Sequence, residues 1–148
     1  MYKKILAPLD GSDYSECVLE HVKDLAVGCQ VKDVVILYVI EPVNPGMYEV
    51  SAKMIEDADR KGEEFGQKYL AGISARLAAE GLNVETALLK GRVSDSILDY
   101  AVKNGVDLIA MTTHGRSGIS RWILGSVADK IVRSSKIPVL LVSPTEKN

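Results

Sequence analysis

The chain has 148 residues, 47% of them hydrophobic and 26% charged, with a formal net charge of −2. That length and balance describe one domain with a packed core and a solvated surface. They exclude a nucleic-acid partner: Lys and Arg form no basic run, and one Trp, one Phe and six Tyr are too few for a base-stacking platform.

The start, MYKKILAPLD, is basic, but its apolar run ends within a few residues at Asp10. It is too short for a signal peptide, and no later run approaches the ~20 residues of a membrane span. The expected location is the cytoplasm, with no membrane partner. Cys17 and Cys29 form no CxxC, and there are only two histidines, so no structural zinc site is expected. Both cysteines are read as reduced thiols in the core.

Ile5-Leu6-Ala7-Pro8-Leu9 reads as a first buried strand. Tyr14 to about Gly28 reads as a helix with Val18, His21, Val22, Leu25 and Ala26 on one face. Val34 to Ile40 is β-branched throughout most of its length, a second strand buried on both sides. Glu41-Pro42-Val43-Asn44-Pro45-Gly46 is a loop and not regular structure. From Ser51 to Glu80 the chain is helical, with Phe65, Tyr69, Ile73 and Leu77 at four-residue steps and Gly81 as the stop.

Leu82 to Leu89 is a third strand whose first half alternates, as it would near a sheet edge. After Gly91, Ser94 caps a helix carrying Ile97, Leu98, Ala101 and Val102, which ends at Asn104-Gly105. Val106 to Met111 is a fourth strand, a glycine-rich loop follows, and then a helix to about Ser135. Pro138 to Val142 is a fifth strand, closed by Pro144.

The order is βαβαβαβαβ. Strands separated by helices pair in parallel, with helices on both faces of an open sheet: an α/β, three-layer architecture. Such sheets bind ligands beyond the carboxyl ends of their strands, where the strand order reverses. The site is therefore expected among the loops after strands one, two and four.

The first of these loops, Pro8-Leu9-Asp10-Gly11-Ser12, is not GxGxxG, and GxxxxGK[ST] occurs nowhere. Asp10 could hydrogen-bond a ligand, or serve only the turn and the cap of the next helix. The loop after strand four, His114-Gly115-Arg116-Ser117-Gly118, permits positive φ, so successive N–H groups can point at one anion. Further on, Gly125-Ser126-Val127-Ala128-Asp129 has the form of a capping box, with Ser126 as N-cap and Asp129 answering it. The first turn of that helix leaves amides free for an anion. Gly115 and Gly125 bracket an interval that can fold back and bring two donor sets onto one phosphate chain. The competing interpretation is that these glycines only turn the chain. An inward-pointing Asp129 would repel a phosphate, and Arg116 and Arg121 are either phosphate partners or solvated charges. Ile119, Trp122 and Ile123 are assigned to core or interface.

The stretches KKILAPLDGS, ILYVIEP and GVDLIAMTTHGRSGISRWILGSVADKIVRSSKIPVLLV, in that order, resemble the universal stress protein family. Its ATP-binding members carry G-x2-G-x9-G-[ST]. Gly115, the nine residues Arg116 to Leu124, Gly125 and Ser126 match the later elements, while Thr112 stands where the pattern begins with glycine. The resemblance implies a five-stranded parallel sheet of order 3-2-1-4-5 and a pocket for an adenine nucleotide, ATP or AMP. Pro8, Leu9 and Asp10 would lie by adenine and ribose, Val39 would meet the base through its backbone, and Met111, Thr112 and His114 would line that side. Gly115, Gly125, Ser126 and Val127 would hold the phosphates, and the reading of the glycine-rich loop adds Arg116 and Gly118 to the nucleotide-binding residues. Ala128 sits where some members carry a hydroxyl. The resemblance also implies Mg²⁺ or Mn²⁺ carried on the phosphates, and a homodimer through the last strand, Pro138 to Val142.

The leading functional reading is a stress-responsive protein that answers to a bound nucleotide. The alternatives are a slow ATPase or self-phosphorylating protein using Ser117, Ser120 or Ser126, and a dimeric interaction module that binds no nucleotide. A phosphorelay receiver is disfavoured, because the third strand ends in Leu88-Leu89-Lys90 and offers no acidic acceptor. On the leading reading, Gly125→Val should abolish nucleotide binding without unfolding the chain.

Overall fold

The computed structural model describes residues 1–47, 49–114 and 124–144. In chain order these form β1 (Lys4–Leu9), α1 (Asp13–Glu16), α2 (Val18–Gly28), β2 (Asp33–Ile40), a 3₁₀ turn (Pro45–Met47) and α3 (Ala52–Ala79). They continue with β3 (Val84–Lys90), α4 (Val93–Lys103), β4 (Leu108–Thr112), α5 (Ser126–Ser134) and β5 (Val139–Val142). The strands make one parallel sheet in the expected order β3-β2-β1-β4-β5.

Alternation along each strand divides the core into two layers. Ile5, Ala7 and Leu9 of β1 with Val34, Ile36, Tyr38 and Ile40 of β2 pack under α2 and α3. Leu6, Val35, Leu37, Val39, Ile109 and Met111 face the opposite way, under α4 and α5. β2 has helices over both faces, and every residue after Asp33 is buried. β3 is an edge strand with Glu85 and Thr86 exposed, as its alternating sequence anticipates.

Several expectations need correction. The helix read over 14–28 is two helices that meet at Cys17. Its buried face is Val18, Leu19, Val22 and Ala26, while His21 points to solvent. Cys17 and Cys29 are free thiols of intermediate exposure beside the ends of α2, not core residues. On α3 the buried stripe is Gly66, Leu70, Ile73 and Leu77, and Phe65 is 49% exposed. A strict four-residue step drifts about 40° per step around a 3.6-residue helix, so Phe65 and Tyr69 have rotated off the core face by the time Ile73 and Leu77 lie on it. Phe65 instead stacks on Tyr69. Ser94 does not cap α4: the N-cap is Arg92, with no side-chain cap bond. The stretch 41–46 is partly ordered, with the Asn44 side chain accepting from the Gly46 amide as the 3₁₀ turn begins.

One asymmetry in the sheet positions the site. β1 stays in register with β2 as far as Leu9↔Tyr38, but its pairing with β4 ends at Leu6↔Ile109. The two central strands therefore part toward their carboxyl ends. Pro8, which has no N–H to give a ladder, lies in the parted stretch.

The ends of α2, α3 and α4 follow one device. At the end of α3, Leu82 N donates to Leu77 O and Gly81 N to Ala78 O, with Gly81 at φ +88°. α2 ends the same way, with Val31 N to Ala26 O and Gln30 N to Val27 O, but the left-handed position is held by Gln30 at φ +52°, not by Gly28. A side chain there costs about 1 kcal/mol relative to glycine. Gln30→Gly should therefore raise the melting temperature by about 2–4 °C. An unchanged or lower value in a thermal melt would show that the Gln30 side chain compensates for its backbone.

Candidate functional site

A cleft of about 640 Å³ opens at the carboxyl ends of β1, β2 and β4, within the range typical of small-molecule sites. Of the residues anticipated from sequence, Pro8, Leu9, Asp10, Val39, Met111, Thr112, Gly125, Ser126 and Val127 all line it. Gly115, Arg116 and Gly118 lie outside the described residues, as do Ser117, Ile119, Ser120, Arg121, Trp122 and Ile123. A more open groove of about 550 Å³ runs between α3 and β3, lined by residues such as Leu70, Ala71, Ala75 and Leu88. No titratable side chain lines it, and it offers no chemistry comparable to the cleft.

His114 is not among the described residues that line the cleft. Its Nδ1 meets the Thr113 hydroxyl at 2.9 Å, and its Nε2 is buried without a partner among the described residues. The turn after β4 is fixed instead by hydroxyls and main chain. Thr112 Oγ1 donates to His114 O at 2.8 Å, so this buried side chain braces the loop it begins. Thr113 N donates to Val142 O of β5.

The far end of the loop returns to the same place. Gly125 N donates to Thr113 O at 2.8 Å, joining the start of α5 to the exit of β4. A Cβ at Gly125 would stand 2.9 Å from that same Thr113 O. The backbone at Gly125, φ −58° and ψ 151°, is open to any residue, so glycine is required by contact and not by conformation.

The capping box is also corrected. Gly125 is the N-cap of α5, Ser126 is its first helical residue, and no side chain among the described residues caps the helix. The Asp129 carboxylate turns down the helix, and its two oxygens share the single Nε–H of Arg133 at 2.9 and 3.0 Å. It therefore does not oppose an anion at the cleft. The first intrahelical bond runs from Asp129 N to Gly125 O. The amides of Ser126, Val127 and Ala128 take no acceptor among the described residues, and all three residues line the cleft. Such an end carries a partial positive charge. Lys130 on α5 meets Asp95 on α4 at 2.7 Å, and that bond holds the Asp95 carboxyl below its usual range.

On the other side, Asp10 begins the turn into α1. Its Oδ1 accepts from the amide and hydroxyl of Ser12, so the structural role considered for it is real, and Asp10 lines the cleft as well. Gly11 follows at φ +84°.

Ile40, Glu41 and Thr113 line the cleft from within the loops where the site is expected, Val39 to Pro42 and Thr112 onward, whereas the sequence reading missed Ser15, Tyr38, Ala58, Gly62, Val93 and Ile97 as lining residues. Ala58 and Gly62 had one legible signal. A helix of 28 residues spans roughly 42 Å, and the eight residues of β2 about 26 Å. α3 must outrun the sheet, and its first turns wall the cleft. Gly62 lets it approach, since a Cβ there would meet Ile40 Cγ2 at 3.0 Å. Ile97 reads from sequence as an ordinary core position of α4.

The sequence matches the universal stress protein family model over residues 1–143. It is 31% identical to the universal stress protein MJ0531 of Methanocaldococcus jannaschii over 99% of this chain and 85% of that protein. The solved structure of MJ0577, another protein of that organism, superposes with a TM-score of 0.88 at 29% identity, covering 99% of both chains. A universal stress protein family protein of Arabidopsis thaliana, solved with AMP bound, shares the fold at 15% identity, with a TM-score of 0.70 over 97% of this chain and 93% of that one. The chain belongs to the universal stress protein family.

The close contact at Gly125 changes what substitution there tests. Gly125→Val would act on the fold before any ligand arrived, because its Cβ already meets main chain. Gly125→Ala alone should lower stability by about 1–3 kcal/mol in denaturant unfolding. A loss below about 0.5 kcal/mol would mean that the contact relaxes freely.

Proposed function

We propose that this chain binds an adenine nucleotide, ATP or AMP, in the cleft and serves as a nucleotide-responsive stress protein of the cytoplasm. The observation that carries the reading is the set of amides at Ser126, Val127 and Ala128 that take no acceptor among the described residues, at the cleft wall and at the positive end of α5. The phosphates lie against these amides and the Gly125 turn, and Gly115, Arg116 and Gly118 are assigned to the same nucleotide. The base and ribose lie against Pro8, Leu9, Asp10, the main chain of Val39, Met111 and Thr112. The mostly apolar lining near the strand tips suits a purine face, and Asp10 suits its amino group or a sugar hydroxyl. The AMP of the Arabidopsis protein adds only that this fold is compatible with an adenine nucleotide.

Ala128 brings no hydroxyl, so the third donor is its amide alone. A divalent cation, Mg²⁺ or Mn²⁺, would arrive on the phosphates. Among the described residues no group of three or more His, Cys, Asp or Glu is gathered to hold one, and Mg²⁺ ordinarily leans on substrate phosphates. None of the described helices is long and apolar enough to cross a membrane. β5 lies at the sheet edge with all of Val139–Val142 only partly covered in the single chain. A second copy paired along Pro138 to Val142 would cover it, as the edge invites.

Calorimetric titration of two variants tests the cradle. Ser126 is the first residue of α5, where proline is well tolerated, and Gly125 at ψ 151° suits a residue before proline. Ser126→Pro removes one amide donor and should weaken ATP about 10- to 100-fold while leaving adenosine unchanged. Ser126→Ala keeps the amide and should bind ATP within about threefold of wild type. ATP binding by Ser126→Pro equal to wild type would remove the amides from the argument, and no binding of any adenine nucleotide by wild type would remove the function.

A further inference from the structure

Ser15 is 5% exposed, lines the cleft and was not anticipated as a site residue. Its hydroxyl accepts from the Asp10 amide at 3.2 Å and donates to Ser12 O at 2.9 Å. One buried oxygen thus ties both ends of the turn that carries Asp10. The next residue, Glu16, is gripped from α3: Tyr69 Oη donates to its Oε1 at 3.0 Å and Arg76 to its Oε2 at 2.9 Å. Burial, and then the charge of Glu16, raise the Tyr69 phenol well above its ordinary range, so it stays a protonated donor. Tyr69 and Arg76 lie two turns apart on α3, and together they fix both carboxylate oxygens.

We propose that Ser15 is a positioning residue, whose hydroxyl holds the Asp10 turn in the posture that meets the base-and-ribose end of the nucleotide, and that Tyr69 and Arg76 steady it through Glu16. The inference rests on the nucleotide reading above. It also implies that Tyr69 and Arg76, which are not among the lining residues, bear on affinity through α1.

The test is Ser15→Ala, with Tyr69→Phe as the second variant, in the full chain. Affinities for ATP, AMP and adenosine should all fall by the same factor, about tenfold in Ser15→Ala and about threefold in Tyr69→Phe. Binding of inorganic tripolyphosphate should not change. Amide exchange followed by NMR should accelerate at Asp10 by a similar factor, with protection in the sheet retained. A loss confined to ATP, or unaltered affinities with intact Asp10 protection, would overturn the proposal. Wild-type protein that bound no adenine nucleotide would sink the nucleotide reading instead, while Asp10 exchange would still show separately whether Ser15 holds the turn. Faster exchange at Asp10 with unchanged affinities would show that the turn does not set binding, and would also overturn it.

Discussion

A single main-chain hydrogen bond, from Gly125 N to Thr113 O, decides where α5 begins. It joins the exit of β4 to the residue before α5 and sets the first turn of α5 beside the tip of β4. A helix turns 100° per residue, so a start displaced by one position would carry the amides of Ser126, Val127 and Ala128 away from the cleft. The bond can be this close only because residue 125 has no Cβ to meet the Thr113 carbonyl. The glycine that looks like a ligand-contact residue in the sequence thus has a structural duty first, and the donor geometry follows from it.

The cleft itself depends on the two central strands parting. β1 remains bonded to β2 while its ladder with β4 stops early, and the helices that pack against these strands lie on opposite faces. The opening therefore has walls from both layers: Ala58 and Gly62 of α3 on one side, Val93, Ile97 and the start of α5 on the other. Gly66 contributes at a distance. A Cβ there would meet Leu88 Cδ1 at 2.6 Å, so glycine lets α3 sit close on the edge of the sheet and fixes the line along which its first turns overhang.

Much of this was legible in the residues. The alternation of short aliphatic runs and amphipathic stretches placed five strands, and the loops after β1, β2 and β4 were located by the general rule for open parallel sheets before any motif was considered. What failed did so for local reasons. Ser126 looks like an N-cap because Asp129 follows at capping-box spacing, but the carboxylate has a stronger partner in Arg133, and Gly125 takes the cap position. His21 falls near the apolar face of α2 in a simple count, yet only the positions nearest the sheet are covered. The four-step pattern on α3 named two buried residues correctly and two that had drifted outward. Ser15 could not be found from sequence, because its importance lies in the bonds its hydroxyl makes across a turn and not in its type.

The direct measurement of the central claim is an amide-resolved NMR titration of the unmodified protein. If phosphate oxygens occupy the start of α5, added ATP will move the Ser126, Val127 and Ala128 amide protons downfield to saturation, and adenosine will leave them nearly still. Resonances at these three positions that stay fixed while others respond would place the nucleotide elsewhere. Equal responses to ATP and adenosine would show that the helix end is not a phosphate site.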